Sequence, residues 1–162
     1  MCEYFDVCNV KDCATCNLEE KILKVKYISD TVSPITISDN GDWIDLRITE
    51  DIMMKEGDFK LLPLGVAIEL PKGYEALLVP RSSTFKKYHI IQTNSIGIID
   101  ESYCGDNDEW KFPAYCTEKT FIPKNTRICQ FRIVKHQPRI RIIPVRKLNN
   151  KDRNGFGSTG TL

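Results

Sequence analysis

No stretch of this sequence is apolar for long enough to cross a bilayer. The longest runs are Gly65-Val66-Ala67-Ile68 and Ile140 to Val145, the latter broken by Arg141 and Pro144, against the ~20 residues that a spanning helix needs. A secretory leader is missing as well: Met1-Cys2-Glu3-Tyr4-Phe5-Asp6 has neither a basic start nor an apolar segment behind it, so the expected location is the cytoplasm and no membrane partner is expected. Charge of one sign is not in excess. Charged residues make up 28% of the chain yet sum to a formal +1, which excludes a global attraction to nucleic acid or anionic lipid and leaves any charged ligand to a local site. The seven cysteines cannot all pair with one another, and Cys104, Cys116 and Cys129 sit in strand-like stretches where a free thiol acts as a small hydrophobe, so a disulfide scaffold is not expected. Internal repeats and long low-complexity segments are also lacking.

What is present is a chain of 162 residues, enough for one domain with a sizeable core. From Lys21 onward it alternates short Ile- and Val-rich stretches with turn residues, the pattern of an all-β domain. Strands are expected over Ile22–Ile28, Trp43–Ile48, Phe59–Leu70, Tyr74–Pro80, Ile90–Thr93, Gly97–Asp100, Glu109–Cys116, Thr126–Lys135 and Ile140–Ile143. Ser82–Lys87 reads as one short helix with serine as a cap, and Pro71-Lys72-Gly73 as a hairpin turn. Periodicity alone leaves sandwich, barrel and jelly roll open. Residues 1–20 form an N-terminal extension with four cysteines, 21–148 the β domain, and 149–162 a flexible C-terminal arm too poor in apolar residues to fold alone.

Four places bear chemistry. In the arm, the glycines of Gly155-Phe156-Gly157-Ser158-Thr159-Gly160 let backbone N–H groups converge on an anion, Ser158 and Thr159 add hydroxyls, Arg153 a guanidinium and Phe156 a stacking ring. A plain Gly/Ser terminus has a similar composition. Arg81-Ser82-Ser83, between a strand and a helix start, has the makings of an anion site or of a capped surface helix. Gln130, in Arg127-Ile128-Cys129-Gln130, either faces such a site or satisfies backbone; alternation puts Cys129 on the face opposite Ile128 and Gln130. Finally Asn94, Gly97, Asp100, Tyr103 and Gly105 frame an expected hairpin whose extended edge suits a pyrimidine, with Asp100 available to hold and deprotonate a water. An acidic turn with a core tyrosine is the plainer reading of that stretch.

The order of these pieces decides between the readings. Gly41-Asp42-Trp43-Ile44-Asp45-Leu46, Pro80-Arg81-Ser82-Ser83, Gly97-Ile98-Ile99-Asp100-Glu101-Ser102-Tyr103-Cys104-Gly105, Arg127-Ile128-Cys129-Gln130 and Gly155 to Gly160 together resemble the five ordered motifs of the trimeric dUTPases, over about residues 21 to 160. The wording Tyr103 to Trp110 is most similar to the phage and Firmicutes branch. The resemblance implies a distorted jelly-roll (β-clip) fold, a homotrimer with active sites shared between subunits, and Mg²⁺-assisted hydrolysis of dUTP to dUMP and diphosphate. It implies Asp100 as the residue activating the water, and Asn94, Gly97, Ile99 and the backbone up to Tyr103 as readers of uracil. Tyr103 would lie under the deoxyribose, Arg81, Ser82, Ser83 and Gln130 would hold phosphates, and Phe156 and Gly157 would cover the base. Arg153, Ser158 and Thr159 would close on the γ-phosphate. No direct protein ligand to the metal is implied, with Asp45 near it through water.

Two departures stand out. Family tails place an arginine five residues before the phenylalanine, where this chain has Lys151; Arg153 is three before Phe156, and its bidentate fork favours it. Cys104 replaces a basic residue, and Asp106 to Glu109 form a longer turn than usual. Cys2, Cys8, Cys13 and Cys16 match a tetrahedral Zn²⁺ in number, and Cys13-Ala14-Thr15-Cys16 in spacing, but the other spacing does not repeat it and no histidine is near, which favours unligated thiols. The alternatives are a dCTP deaminase-like enzyme, disfavoured because the Thr-Leu-Glu strand of those enzymes is absent, and a phage-type regulatory protein binding a repressor partner.

Overall fold

The computed structural model describes residues 20–39 and 41–152. The N-terminal cysteines and the arm residues Arg153, Phe156, Gly157, Ser158 and Thr159 lie outside them. The chain is nearly all β: β1 (Lys24–Tyr27), β2 (Ile44–Arg47), β3 (Ile52–Met54), β4 (Phe59–Pro63), β5 (Val66–Glu69), β6 (Tyr74–Pro80), α1 (Thr84–Tyr88), β7 (Ile90–Gln92), β8 (Gly97–Ile99), β9 (Lys111–Cys116), β10 (Thr120–Ile122) and β11 (Arg127–Lys135). Two larger sheets, ordered β2-β11-β6-β8 and β4-β9-β7, are joined by the pairs β1-β5 and β3-β10, and the paired strands all run antiparallel. Among the described residues no helix is long and apolar enough to cross a membrane.

Burial follows the pleat. In β9 the pattern puts Phe112, Ala114 and Cys116 inward and Lys111 and Tyr115 outward, as alternation on a half-buried sheet requires. The core gathers Leu46, Met54, Leu62, Ile68, Phe112 and Phe131 around Trp110, whose ring meets Phe131 edge-on at 5.1 Å, the geometry that aromatic quadrupoles favour.

Several expected elements come out differently. The single strand over Phe59–Leu70 breaks after Pro63, because Gly65 takes φ +67° and turns the chain from one sheet to another. Neither hairpin forms. Tyr74 N–H does close the Pro71 turn at 3.2 Å, but β5 pairs with β1 while β6 pairs with β11 and β8; likewise β7 goes to β9 and β8 to β6. Consecutive strands here belong to opposite layers, which a local turn signal does not encode. Strands β3 and β10, which pair with each other, were not expected. Ile140–Ile143 forms no strand: residues 136 to 152 have no ladder partner among the described residues, and Ile140, Ile142, Ile143, Val145 and Leu148 are all exposed. A strand needs a neighbour to take its hydrogen bonds. Cys116 and Cys129 are buried as expected, whereas Cys104 is exposed.

Gly65 is the tightest point. A Cβ there would sit 2.5 Å from Thr49 Cγ2, while its N–H is held by Glu109 Oε1 at 3.0 Å and its carbonyl by Ile28 N–H at 2.8 Å. Gly65→Ala combines a positive φ with a backbone that cannot move away, so it is expected to cost roughly 2 kcal/mol or more, read as a lowered urea midpoint with an unchanged m-value.

Candidate active site

Strand β6 is the spine of the site. At its C-terminal end it runs through Pro80 into Arg81, and there the rows of the sheet bring Asp45 on β2 opposite Gln130 on β11 and Gln130 opposite Val79 on β6. Asp45 accepts from two guanidinium groups, Arg81 Nε at 2.7 Å and Arg127 Nη1 at 3.2 Å. All three side chains keep solvent contact, so screening leaves these pairs little weight in stability; what they fix is the direction of two cations. The bend after Arg81 is held by Thr84, nearly fully buried, whose hydroxyl accepts from Arg81 N–H at 3.1 Å and donates to the Ile128 carbonyl at 2.7 Å.

The helix starts later than expected for that reason. It spans Thr84–Tyr88 with Ser83 as N-cap but without a side-chain cap, leaving the hydroxyls of Ser82 and Ser83 uncommitted to capping. Gln130 is half-buried. The alternation expected around it fails, because the β2-β11 register shifts between Arg127 and Cys129 and both Ile128 and Cys129 turn inward, as a β-bulge permits. Burial, then the Asp45 charge, pushes the Cys129 thiol well above its usual range, so it is an inert packing group.

Five residues back along β6 lies the second group. Gly97 pairs with Leu78 and Ile99 with Ala76, and the chain then turns through Asp100 to Tyr103, whose N–H donates to the Asp100 carbonyl at 3.0 Å. A hollow of about 490 Å³ opens here, lined among others by Asn94, Gly97, Ile99, Asp100, Tyr103 and Trp110, a size suited to a small ligand. A larger hollow of about 580 Å³ lies elsewhere, against Leu23, Ile37, Ile44 and Arg132; it takes in Gly41, Asp42 and Ile44 of the first motif but none of the expected site residues.

Asp100 is exposed and held by its neighbour. The Ser102 hydroxyl, then the Ser102 N–H at 2.8 Å, hold its carboxyl below the ordinary 3.8; slight desolvation opposes this and His136 adds a further lowering. Hydrogen bonds to the charged form have that sign. Glu101, next to it, accepts from Gly73 N–H, and the Gly73 carbonyl accepts from His136 N–H at 3.0 Å. Asp100 therefore sits between two anchors, the β8 ladder before it and the Glu101 clamp after it.

The acidic run that follows is a built turn. Asp108 Oδ2 accepts from Gly105 N–H at 2.7 Å while Asp108 N–H donates to the Gly105 carbonyl at 3.1 Å; Asp106 pairs with Lys26 at 3.2 Å. Glu109 holds Gly65, and its carbonyl takes the Tyr103 hydroxyl at 3.4 Å. The turn thus ties the Tyr103 wall of the hollow to the buried Trp110.

Compared with known proteins, residues 33–160 match the family model described as dUTPase. The SPbeta prophage-derived deoxyuridine 5'-triphosphate nucleotidohydrolase YosS of Bacillus subtilis (strain 168) is 58% identical over 139 residues, covering 86% of this chain and 98% of that protein. The chain belongs to the dUTPase family. Solved structures agree on the fold: a glycine-to-serine mutant of Staphylococcus bacteriophage 80alpha dUTPase with dUpNHpp superposes with a TM-score of 0.70 at 20% identity, covering 86% of this chain and 98% of the other. The dUTPase of phage phi11 of S. aureus, described with a structural Mg(II) ion, gives 0.69 at 16%, covering 80% and 99%. The jelly-roll-like architecture expected from the motifs is therefore the observed one.

Of the expected site residues, the fold brings together Asn94, Gly97, Ile99, Asp100 and Tyr103 in one group and Asp45, Arg81, Ser82, Ser83 and Gln130 in another; it does not join the two groups. Sequence reasoning passed over Arg127, Thr84, Gln92 and Glu101 as individual groups. Arg127 stood in a quoted motif and was open to notice, whereas a buried threonine or glutamine carries no local signal.

The lowered pKa of Asp100 has a measurable consequence. Its carboxylate form is lost only as pH falls below the usual carboxylate range, so the acid limb of any Asp100-dependent activity lies at low pH. Ser102→Ala removes the largest stabilising hydrogen bond, and the limb is expected to move to higher pH in a pH–rate profile while the plateau changes less.

Proposed function

We propose that the protein hydrolyses dUTP to dUMP and diphosphate, with the hollow beside Asp100 as the base and water subsite and the Asp45–Arg81–Arg127–Gln130 end of the sheet as the phosphate subsite. The observation that carries this is the gathering of Asn94, Gly97, Ile99, Asp100 and Tyr103 around one hollow in a chain of the dUTPase family. Asn94 and the β8 backbone read the base edge, and Tyr103 lies against the sugar. Asp100 orients a water toward the α-phosphorus and takes its proton as the bond to the bridging oxygen breaks. Asp100 is a carboxylate at neutral pH, as an exposed aspartate is, and the hydrogen bonds from Ser102 that lower its pKa make it a positioning acceptor more than a strong base. Arg81, with Ser82 and Ser83, meets charge on the phosphates.

Mg²⁺ fits as a companion of the triphosphate. Among the described residues no group of three or more His, Cys, Asp or Glu side chains forms a cage, and the one carboxylate at the phosphate end, Asp45, faces two arginines. Asp45 would meet the ion through water, and the ion supplies neutralisation of the phosphate charge when bound. Arg153, Phe156, Gly157, Ser158 and Thr159, outside the described residues, are the groups this reading assigns to the base and the γ-phosphate.

The site is shared between copies. Asp100 follows Ile99, which pairs with Ala76, whereas Arg81 is five residues further along β6, roughly 17 Å at strand rise. A triphosphate whose reacting phosphorus must meet both Asp100 and the Arg81 cluster is better served by Asp100 of one copy and Arg81 of another. Two features support a homotrimer of this kind. Phe59, Tyr115 and Ile91 stand in one cross-strand row on the outer face of β4-β9-β7, all exposed, and an apolar sheet face of that kind marks an interface. The exposed apolar residues from Ile140 to Leu148 need a neighbour's sheet edge.

Release of diphosphate from dUTP, dCTP, UTP and dTTP, with and without Mg²⁺, tests the reading: turnover of dUTP well above the other three is expected, and comparable rates on all four would refute it. Asp100→Asn should lose ~10²–10⁴ in kcat while nucleotide binding by calorimetry persists. Sedimentation should find a species of three 18.6 kDa chains; a stable monomer with full activity would exclude the shared site.

A further inference from the structure

Behind Asn94 lies Gln92, the last residue of β7, only 5% exposed. Its Nε2 donates to the backbone carbonyl of Leu78 on β6 at 3.0 Å and to Asn94 Oδ1 at 2.8 Å. A side-chain amide in a pocket can ordinarily stand either way round, with opposite hydrogen-bonding sense. Here the choice is forced. The Leu78 oxygen can only accept, so the Gln92 atom facing it is nitrogen; the Asn94 atom facing that nitrogen is then oxygen, and the other arm of the Asn94 amide is the donor Nδ2. Gly97 leaves room for the relay, since a Cβ there would lie 3.2 Å from Leu78 Cβ and 3.4 Å from Gln92 Nε2.

Core packing does not account for a glutamine at this place. Its Oε1 is buried without a partner, a cost that an apolar side chain of the same length would avoid. What the amide contributes is direction.

We propose that Gln92 is a specificity-determining positioning residue: the β6 backbone, through Gln92, turns Asn94 so that the hollow offers a donor to the C4 substituent of a pyrimidine. Uracil carries a carbonyl acceptor at C4 and is matched, while cytosine carries an amino donor there and meets a second donor. Unpaired polar groups in a closed pocket discriminate strongly. This rests on the reading that the hollow takes the base of dUTP.

The test is kcat/KM for dUTP and for dCTP in the full chain and in Gln92→Met, which keeps length and volume without a donor. The dUTP:dCTP preference is expected to fall roughly tenfold or more, mainly through a higher KM for dUTP, with the thermal midpoint equal or raised. An unchanged ratio in Gln92→Met, or an equal loss on both substrates, would overturn the proposal and leave Gln92 a structural residue. Should that variant fail to fold, Gln92→Leu, apolar and more compact, is held to the same criterion. A wild-type chain inactive on dUTP would instead overturn the reading of the site, and this inference with it.

Discussion

Strand β6 has both of its edges taken, by β11 on one side and by β8 on the other, and the rest of the molecule depends on that double ladder. A central strand with both rows of hydrogen bonds satisfied is the most rigid reference a sheet offers. Everything with chemical potential is registered against it. Gln130 faces Val79 and brings Asp45 with it, Arg81 leaves from its end, and Gly97 to Ile99 run back along it to deliver Asp100. The carbonyl of Leu78, itself part of this strand, fixes Gln92 and through it Asn94.

Because functional groups sit at both ends of one rigid strand, they cannot close on each other by bending. The fold separates the Asp100 hollow from the Asp45–Arg81 cluster by a strand length, and that separation makes self-association a part of the proposed chemistry. The exposed row of Phe59, Tyr115 and Ile91 and the exposed apolar residues from Ile140 to Leu148 are the surfaces on which the proposed trimer rests. The turn from Gly105 to Glu109 serves a different end. Its carboxylates are spent on backbone N–H groups and on Lys26, so what reads as an acidic surface is a brace between the Tyr103 wall and the Trp110 core.

Much of this was legible in the sequence, and the parts that were not share a cause. Period-two burial in β9 and the turn at Pro71-Lys72-Gly73 are local quantities, fixed by the pleat and by φ, so most strands were found within a residue or two. Pairing is not local. The hairpins expected at Pro71-Lys72-Gly73 and at Gly97 to Gly105 failed because each strand's partner lies far along the chain, in another layer. The break at Gly65 escaped notice because its neighbours are uniformly apolar on both sides. Thr84 and Gln92 were missed for the same reason: a buried polar residue has meaning only through the acceptor it meets.

The sequence by itself determined the all-β class, the absence of a spanning helix and the family, since five short motifs in fixed order survive any uncertainty about pairing. It also determined which residue types were available for the proposed site: a carboxylate at Asp100, guanidinium groups at Arg81 and Arg127, an amide at Asn94. Only the tertiary structure decided how these are aimed. That Asp45 is shared by two arginines, that Asp100 is pinned between a ladder and the Glu101 clamp, and that Asn94 shows its donor are consequences of cross-strand register. Register sets hydrogen bonds between residues many positions apart, and direction at a site is set by those bonds.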